Sequence, residues 1–247
     1  MSEHSNTPET PAIQPRHVFS SLPKYAAGKP PTPVEGLKQY KLSSNENPHG
    51  PIPEVARILA EFDATHRYPD PLSTKLRTAL AHRLGVDAHN IVTGAGSLGA
   101  LNQILKAFAG ASLDGTQDEV IYAWRSFEAY PILVGLLGAK SVQIPNLPNG
   151  AHDLNAMAQA VTNRTRVILV CTPNNPTGPA VTEAQMREFL TKIPENVVVV
   201  IDEAYYEFCT ASTVPAGQNA PVNGLNLLND HPNVIVLRTF SKAQGLA

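Results

Sequence analysis

The sequence predicts an α/β protein in which a mostly parallel sheet lies between layers of helix, preceded by an N-terminal arm. Three observations predict it. Short, β-branched apolar runs alternate along the chain with segments of helical period. The runs are continuously apolar, as in Val197-Val198-Val199-Val200-Ile201, which suits strands buried on both faces. The glycine-, proline- and amide-containing motifs fall just after such runs, where open α/β sheets bind their ligands.

Taken in order, residues 1–35 carry seven prolines, a density at which no apolar period survives. The first fifteen residues are expected to be disordered, and Leu22 to Lys41 to form an extended arm. From Pro53 the pattern turns helical, with Val55, Ile58, Leu59 and Phe62 on one face and a proline suited to a first turn. A second helix follows Ser73 through Leu76, Ala79, Leu80 and Leu84, and Gly85 stops it. Strands are expected at Ile91–Thr93, Val120–Tyr122, Ser141–Ile144, Val167–Cys171, Val197–Ile201 and Val234–Leu237. Between them helices are expected at Leu98–Phe108, Phe127–Leu136, Leu154–Val161 and Thr182–Ile193, the last opened by a Thr182/Gln185 capping box.

A chain of 247 residues with 43% hydrophobic content can bury a substantial core. Nineteen basic against 21 acidic residues leave a net charge of −2, which gives no electrostatic footprint for nucleic acid or an anionic membrane. No apolar run approaches the roughly 20 residues of a membrane span, and Met1 to Pro15 lacks the apolar segment of a signal peptide. The two cysteines, Cys171 and Cys209, favour a reducing compartment, so the expected location is the cytoplasm.

Four segments carry chemistry. Ile91-Val92-Thr93-Gly94-Ala95-Gly96-Ser97 leads through a glycine-rich turn into a helix start, which aims backbone N–H groups at one point; it reads either as a tight turn or as a phosphate site. Phe127 offers a flat ring that could stack on a planar ligand or simply fill the core. Asp202 ends a wholly apolar run, where a carboxylate is costly to bury without a positive partner. Lys242, in Arg238-Thr239-Phe240-Ser241-Lys242, follows an apolar strand either as an exposed cation or as a desolvated amine able to attack a carbonyl.

Together, Gly94-Ala95-Gly96-Ser97, Thr172-Pro173-Asn174-Asn175-Pro176-Thr177-Gly178, Asp202-Glu203-Ala204-Tyr205 and Ser241-Lys242 resemble, in that order, the fold-type I aminotransferases that use pyridoxal 5'-phosphate. Leu42-Ser43-Ser44-Asn45-Glu46-Asn47-Pro48 and Arg67-Tyr68-Pro69-Asp70 point within that family to the histidinol-phosphate and aromatic branch, and Tyr122 to Pro131 resembles the aromatic (phenylalanine) members. The resemblance implies residues 1–41 as tail and arm and residues 42–247 as the cofactor-binding large domain. It assigns Gly96, Ser97, Leu98 and Ser241 to the cofactor phosphate, with Thr239 a further candidate. Phe127 is assigned to the ring face, with Trp124 a second candidate. Asn175 and Tyr205 would bind the 3'-oxygen, Asp202 the ring nitrogen, and Lys242 would be the covalent attachment and general acid/base. Leu98 stands where many relatives carry an acidic residue, so the backbone must serve there.

The resemblance further implies a homodimer in which Tyr68 reaches the partner's phosphate, although Tyr68 also reads as a surface aromatic. It implies transamination of phenylalanine or tyrosine with 2-oxoglutarate, or alternatively of histidinol phosphate. A small domain, a phosphate-binding arginine and the arginine for the substrate carboxylate would follow Ala247. Two rivals share the fold: a non-catalytic DNA-binding relative, for which the Pro-rich start supplies no helix-turn-helix, and a lyase or decarboxylase.

Overall fold

A computed structural model of the protein describes residues 16–24, 31–209 and 220–247. The expected disordered tail, and residues 25–30 of the expected arm, lie outside the described residues. A short helix α1 (Val18–Ser21) precedes α2 (Pro53–Ala60) and α3 (Thr74–Leu84). Residues 31–41 contain neither helix nor strand. Pro53 opens α2, and Gly85 ends α3 in the left-handed region at φ 70°, as the sequence leads one to expect. The apolar face of α2 and the Phe62 ring just after it are not covered among the described residues, since Ile58, Leu59 and Phe62 are 57%, 61% and 60% exposed.

From there the periods alternate: α4 (Gly96–Phe108), β1 (Glu119–Trp124), α5 (Ala129–Leu136), β2 (Lys140–Pro145), α6 (Leu154–Gln159), β3 (Thr165–Cys171), α7 (Glu183–Leu190), β4 (Val198–Asp202) and β5 (Val234–Leu237). The capping box at Thr182/Gln185 forms in both directions. Among the described residues the strands make one parallel sheet in the order β2-β1-β3-β4-β5. Ile91–Thr93 departs from the expectation of a strand. Ile91 is extended, but the segment pairs with no strand among the described residues, and the carbonyl of Thr93 accepts instead from the side chain of Gln103 in α4. An apolar triplet satisfies the sequence pattern of a strand; only a neighbour makes it one.

Side chains alternate across the sheet and split the core in two. Ile121, Ala123, Ile168, Val170, Val199 and Ile201 meet α6 and α7 through Met157, Met186, Phe189 and Leu190 on one face. Val120, Tyr122, Val167, Leu169 and Val200 meet α4 and α5 through Leu101, Leu105, Tyr130 and Val134 on the other. Each large apolar side chain fully buried in this way contributes about 1.5–3 kcal/mol. The edge strand β2 is half exposed, which its Lys140 and Gln143 tolerate.

This order fixes where a ligand belongs. The chain leaves β1 outward to β2, then returns to β3 on the other side of β1, so the direction reverses between β1 and β3. The crevice beyond the carboxyl ends of these two strands is the place where doubly wound sheets bind.

Candidate active site

All four motifs lie beyond the carboxyl ends of the parallel strands or at the start of α4. The register sets Cys171 beside Asp202 and Asp202 beside Leu237, so the last residues of β3, β4 and β5 are level.

Across the reversal point, Asn174 ties the loops after β1 and β3. Its Oδ1 accepts from Ser126 Oγ at 2.7 Å, while Nδ2 donates to the Arg125 carbonyl at 3.0 Å and to Thr177 Oγ1 at 2.7 Å. Asn174 is therefore buried and fully used. Its neighbour Asn175 is half-buried, and its amide makes no hydrogen bond among the described residues. Of two adjacent asparagines, one builds the loop and the other keeps its amide for a ligand.

Asp202 is 4% exposed at the tip of β4. Its Oδ2 accepts from Tyr130 Oη at 2.6 Å and its Oδ1 from the Ala204 N–H at 3.2 Å. Among the described residues no cation pairs with it. Burial pushes its pKa up, and the Tyr130 and Ala204 donors oppose that shift. The next residue is handled differently. Glu203, wholly buried, accepts from the Gly224 N–H at 2.6 Å and from Arg238 Nε at 2.9 Å, and Arg238 also donates to Asn223 Oδ1 at 2.9 Å and lies 4.0 Å over the Tyr206 ring. Of these two adjacent buried carboxylates, Glu203 has a cation within the chain, Arg238, although burial still pushes its pKa up, whereas Asp202 has none among the described residues.

The Glu203–Arg238 pair also anchors the start of the lysine loop. Arg238→Ala is expected to strand a buried carboxylate and cost about 3–5 kcal/mol of stability. The check is the urea midpoint; an unchanged midpoint contradicts this role.

Beyond Arg238 the loop turns on itself, with Ser241 N–H donating to Thr239 Oγ1 at 3.1 Å and Thr239 Oγ1 to Ser241 Oγ at 2.9 Å. These hydroxyls face the start of α4: a Cβ built on Gly96 would lie 3.5 Å from Ser241 Oγ and 4.0 Å from Thr239 Oγ1. Gly96 has φ +63°, and a Cβ on Gly94 would fall 2.6 Å from the Ala100 nitrogen, so both positions require glycine. Among the described residues no side chain caps the first turn of α4. Its N–H groups, from Gly96 to Leu98, and the hydroxyls of Ser241 and Thr239 together form a cradle for an anion. The Leu98 side chain is 44% exposed, which leaves its backbone as the useful part.

Lys242 is half-buried, not the buried amine that the desolvation argument expects, because the loop carrying it lies at the surface of the sheet's end. Its Nζ sits 5.5 Å over the Tyr205 ring and 3.5 Å from the carbonyl oxygen of Asn45. Asn45 Nδ2 in turn donates to Tyr205 Oη at 3.1 Å, and among the described residues the phenol proton is given to no acceptor. The segment around Asn45 is strapped to the lysine loop by Asn47 Nδ2, which donates to the Ala243 carbonyl at 2.9 Å. Phe127 is half-buried and meets Tyr130 edge to face at 5.6 Å. Trp124, also half-buried, is engaged by Tyr122 and by the Arg125 guanidinium at 4.9 Å. Tyr68 is 102% exposed and stands outside the cluster.

Asn45, Tyr130, Asn174 and the Glu203–Arg238 pair were not assigned roles from sequence. Only Asn45 carries a local backbone anomaly, a φ of 50° at a residue other than glycine, and sequence does not show it.

The arrangement fits pyridoxal phosphate. The glycine–hydroxyl cradle suits its phosphate, the uncompensated Asp202 its protonated ring nitrogen, the unused Asn175 amide and the Tyr205 phenol its 3'-oxygen, and Lys242 its aldehyde carbon.

Comparison with known proteins agrees. The chain is 48% identical over 233 residues to an aromatic amino acid aminotransferase of Streptomyces coelicolor, covering 94% of this chain and 61% of that protein. It is equally similar, with the same coverage, to an aromatic amino acid aminotransferase of Thermobifida fusca. The chain thus spans about three fifths of the length of these relatives, 61%. Among solved structures, the histidinol-phosphate aminotransferase of Sinorhizobium meliloti, in complex with pyridoxal-5'-phosphate, superposes with a TM-score of 0.70 at 32% identity, over 82% of this chain and 52% of that one. Residues 38–247 match the model of the aminotransferase class I and II family, and the chain belongs to that family.

Proposed function

We propose that the protein is a pyridoxal phosphate-dependent aminotransferase that moves the amino group of phenylalanine or tyrosine to 2-oxoglutarate, acting as a cytoplasmic homodimer. The observation that carries the reaction class is the convergence, beyond one end of the sheet, of the anion cradle, the uncompensated Asp202 and the Lys242 amine. When bound, the cofactor supplies an electron sink for the pair left at the substrate α-carbon. Asp202 supplies the negative charge that keeps the ring nitrogen protonated. Phe127 covers the ring face, and Asn175 and Tyr205 hold the 3'-oxygen. Lys242 Nζ would hold the cofactor's aldehyde carbon and, when free, would take the proton removed from the substrate α-carbon.

The substrate reading draws on the aromatic aminotransferases at 48% identity and on the motif from Tyr122 to Pro131. The dimer reading draws on two exposed features, the Tyr68 ring and the apolar face of α2, which a second copy would cover. Tyr68 would then reach the partner's phosphate. The cytoplasmic reading draws on Cys171 and Cys209, both free thiols.

The test of substrate is kcat/KM on phenylalanine against histidinol phosphate. A histidinol-phosphate member must hold a second anion at the far end of its substrate, whereas an aromatic member needs only a flat apolar pocket. Preference for phenylalanine is expected. A preference of about a hundredfold for histidinol phosphate, on the order of 2.7 kcal/mol of differential transition-state binding, overturns the aromatic reading and leaves the reaction class standing.

A further inference from the structure

Tyr130 is a fully buried phenol that touches two of the residues assigned to the cofactor ring. It lies in the first turn of α5, its Oη donates to Asp202 Oδ2 at 2.6 Å, and its ring meets Phe127 edge to face at 5.6 Å and 86°. Tyr122 supports the same ring from behind at 5.6 Å and 67°. The bond to Asp202 is short and charge-assisted, a class about twice as strong as a bond between neutral groups. Among the described residues Asp202 Oδ1 has only the longer bond from Ala204, at 3.2 Å. One carboxylate oxygen is therefore committed to the protein, and the other is left to a ligand.

The neighbours of this pair add no competing charge. Burial pushes the Tyr130 phenol well up, which keeps it a donor, and pushes the Cys171 thiol on β3 up to about 12, which keeps it neutral. Cys171 Sγ turns toward the Pro173 carbonyl at 3.5 Å.

We propose that Tyr130 is a positioning residue for the cofactor ring: its hydroxyl holds Asp202 ionised and oriented so that Oδ1 pairs with the ring nitrogen, while its ring backs Phe127. The inference rests on the pyridoxal phosphate reading above and adds to it a residue that need not touch the cofactor. Two halves of the ring's environment, the stacked face and the charged edge, are thereby set by one side chain.

Tyr130→Phe keeps the ring and removes only the hydroxyl. The experiment is a spectroscopic titration of the apo-protein with pyridoxal phosphate and with its carbon analogue, in which C–H replaces the ring nitrogen. Tyr130→Phe is expected to raise the Kd for pyridoxal phosphate about tenfold, or about 1.4 kcal/mol, and to leave the Kd for the carbon analogue within about twofold of the unsubstituted protein. In an Asp202→Asn background, Tyr130→Phe is expected to have no further effect on pyridoxal phosphate, since the hydroxyl acts through that carboxylate. Equal weakening of both ligands would mean that the hydroxyl serves packing alone; no weakening of either would mean that it serves nothing here. Each of those results, or an undiminished effect in the Asp202→Asn background, overturns the proposal while the cofactor reading stands. An unsubstituted protein that binds neither ligand overturns both.

Discussion

Asp202→Ala is expected to lower the turnover of the full protein by roughly a thousandfold, the upper range for removing one preorganised electrostatic stabiliser, equivalent to about 4 kcal/mol of transition-state stabilisation. The cofactor is expected to bind more weakly but to be retained at saturating concentration, because the proposed cradle at Gly96, Ser97, Leu98 and Ser241 and the proposed attachment at Lys242 do not involve this carboxylate. The loss should therefore appear in kcat while the cofactor's absorbance persists. A second consequence follows from the sign of the pKa shift. Asp202 is raised by burial, so the apo-protein binds its proton more tightly folded than unfolded. That contribution to stability is present below the unfolded pKa and lost as pH rises through the folded one. Asp202→Asn removes the group whose ionisation burial opposes, and is expected to unfold at no lower a temperature. Near-normal transamination by Asp202→Ala contradicts its assigned role.

Lys242→Ala is expected to have the largest effect of any single change, a loss of roughly 10⁴-fold or more, the scale for deleting a group that both bonds covalently and moves the proton. Lys242→Arg keeps a cation near the Tyr205 ring but offers no nucleophilic amine, so it should be as inactive as the alanine variant. Recovery of substantial turnover by Lys242→Arg in a steady-state assay means that the charge of this residue matters and its chemistry does not.

The sheet was legible in the sequence wherever apolar runs are both continuous and paired. Val167–Cys171, Val197–Ile201 and Val234–Leu237 became β3, β4 and β5 with little change of boundary. Ile91–Thr93 looked the same and is no strand, because a strand is defined by a neighbour that sequence periodicity does not name. The strand order was not legible either, and it is the order that puts the reversal between β1 and β3, where Phe127 and Asn175 stand. At the site, residues on short motifs were readable because glycine, proline and adjacent amides have few other uses together. The exposure of Lys242 was not, since it depends on where the loop settles relative to Asn45, nearly two hundred residues away in the chain. Tyr130 was hidden for a different reason: within a helix as apolar as α5, a phenol reads as one more core ring until its hydroxyl is seen to meet Asp202.

The attachment of the cofactor at Lys242 is the claim on which every other role depends. Borohydride reduction of the purified protein in the presence of pyridoxal phosphate, followed by proteolysis and mass spectrometry, measures it directly. The account predicts one modified peptide, the one containing Lys242, and its absence from the Lys242→Ala variant. A label on another lysine, or on none, contradicts it.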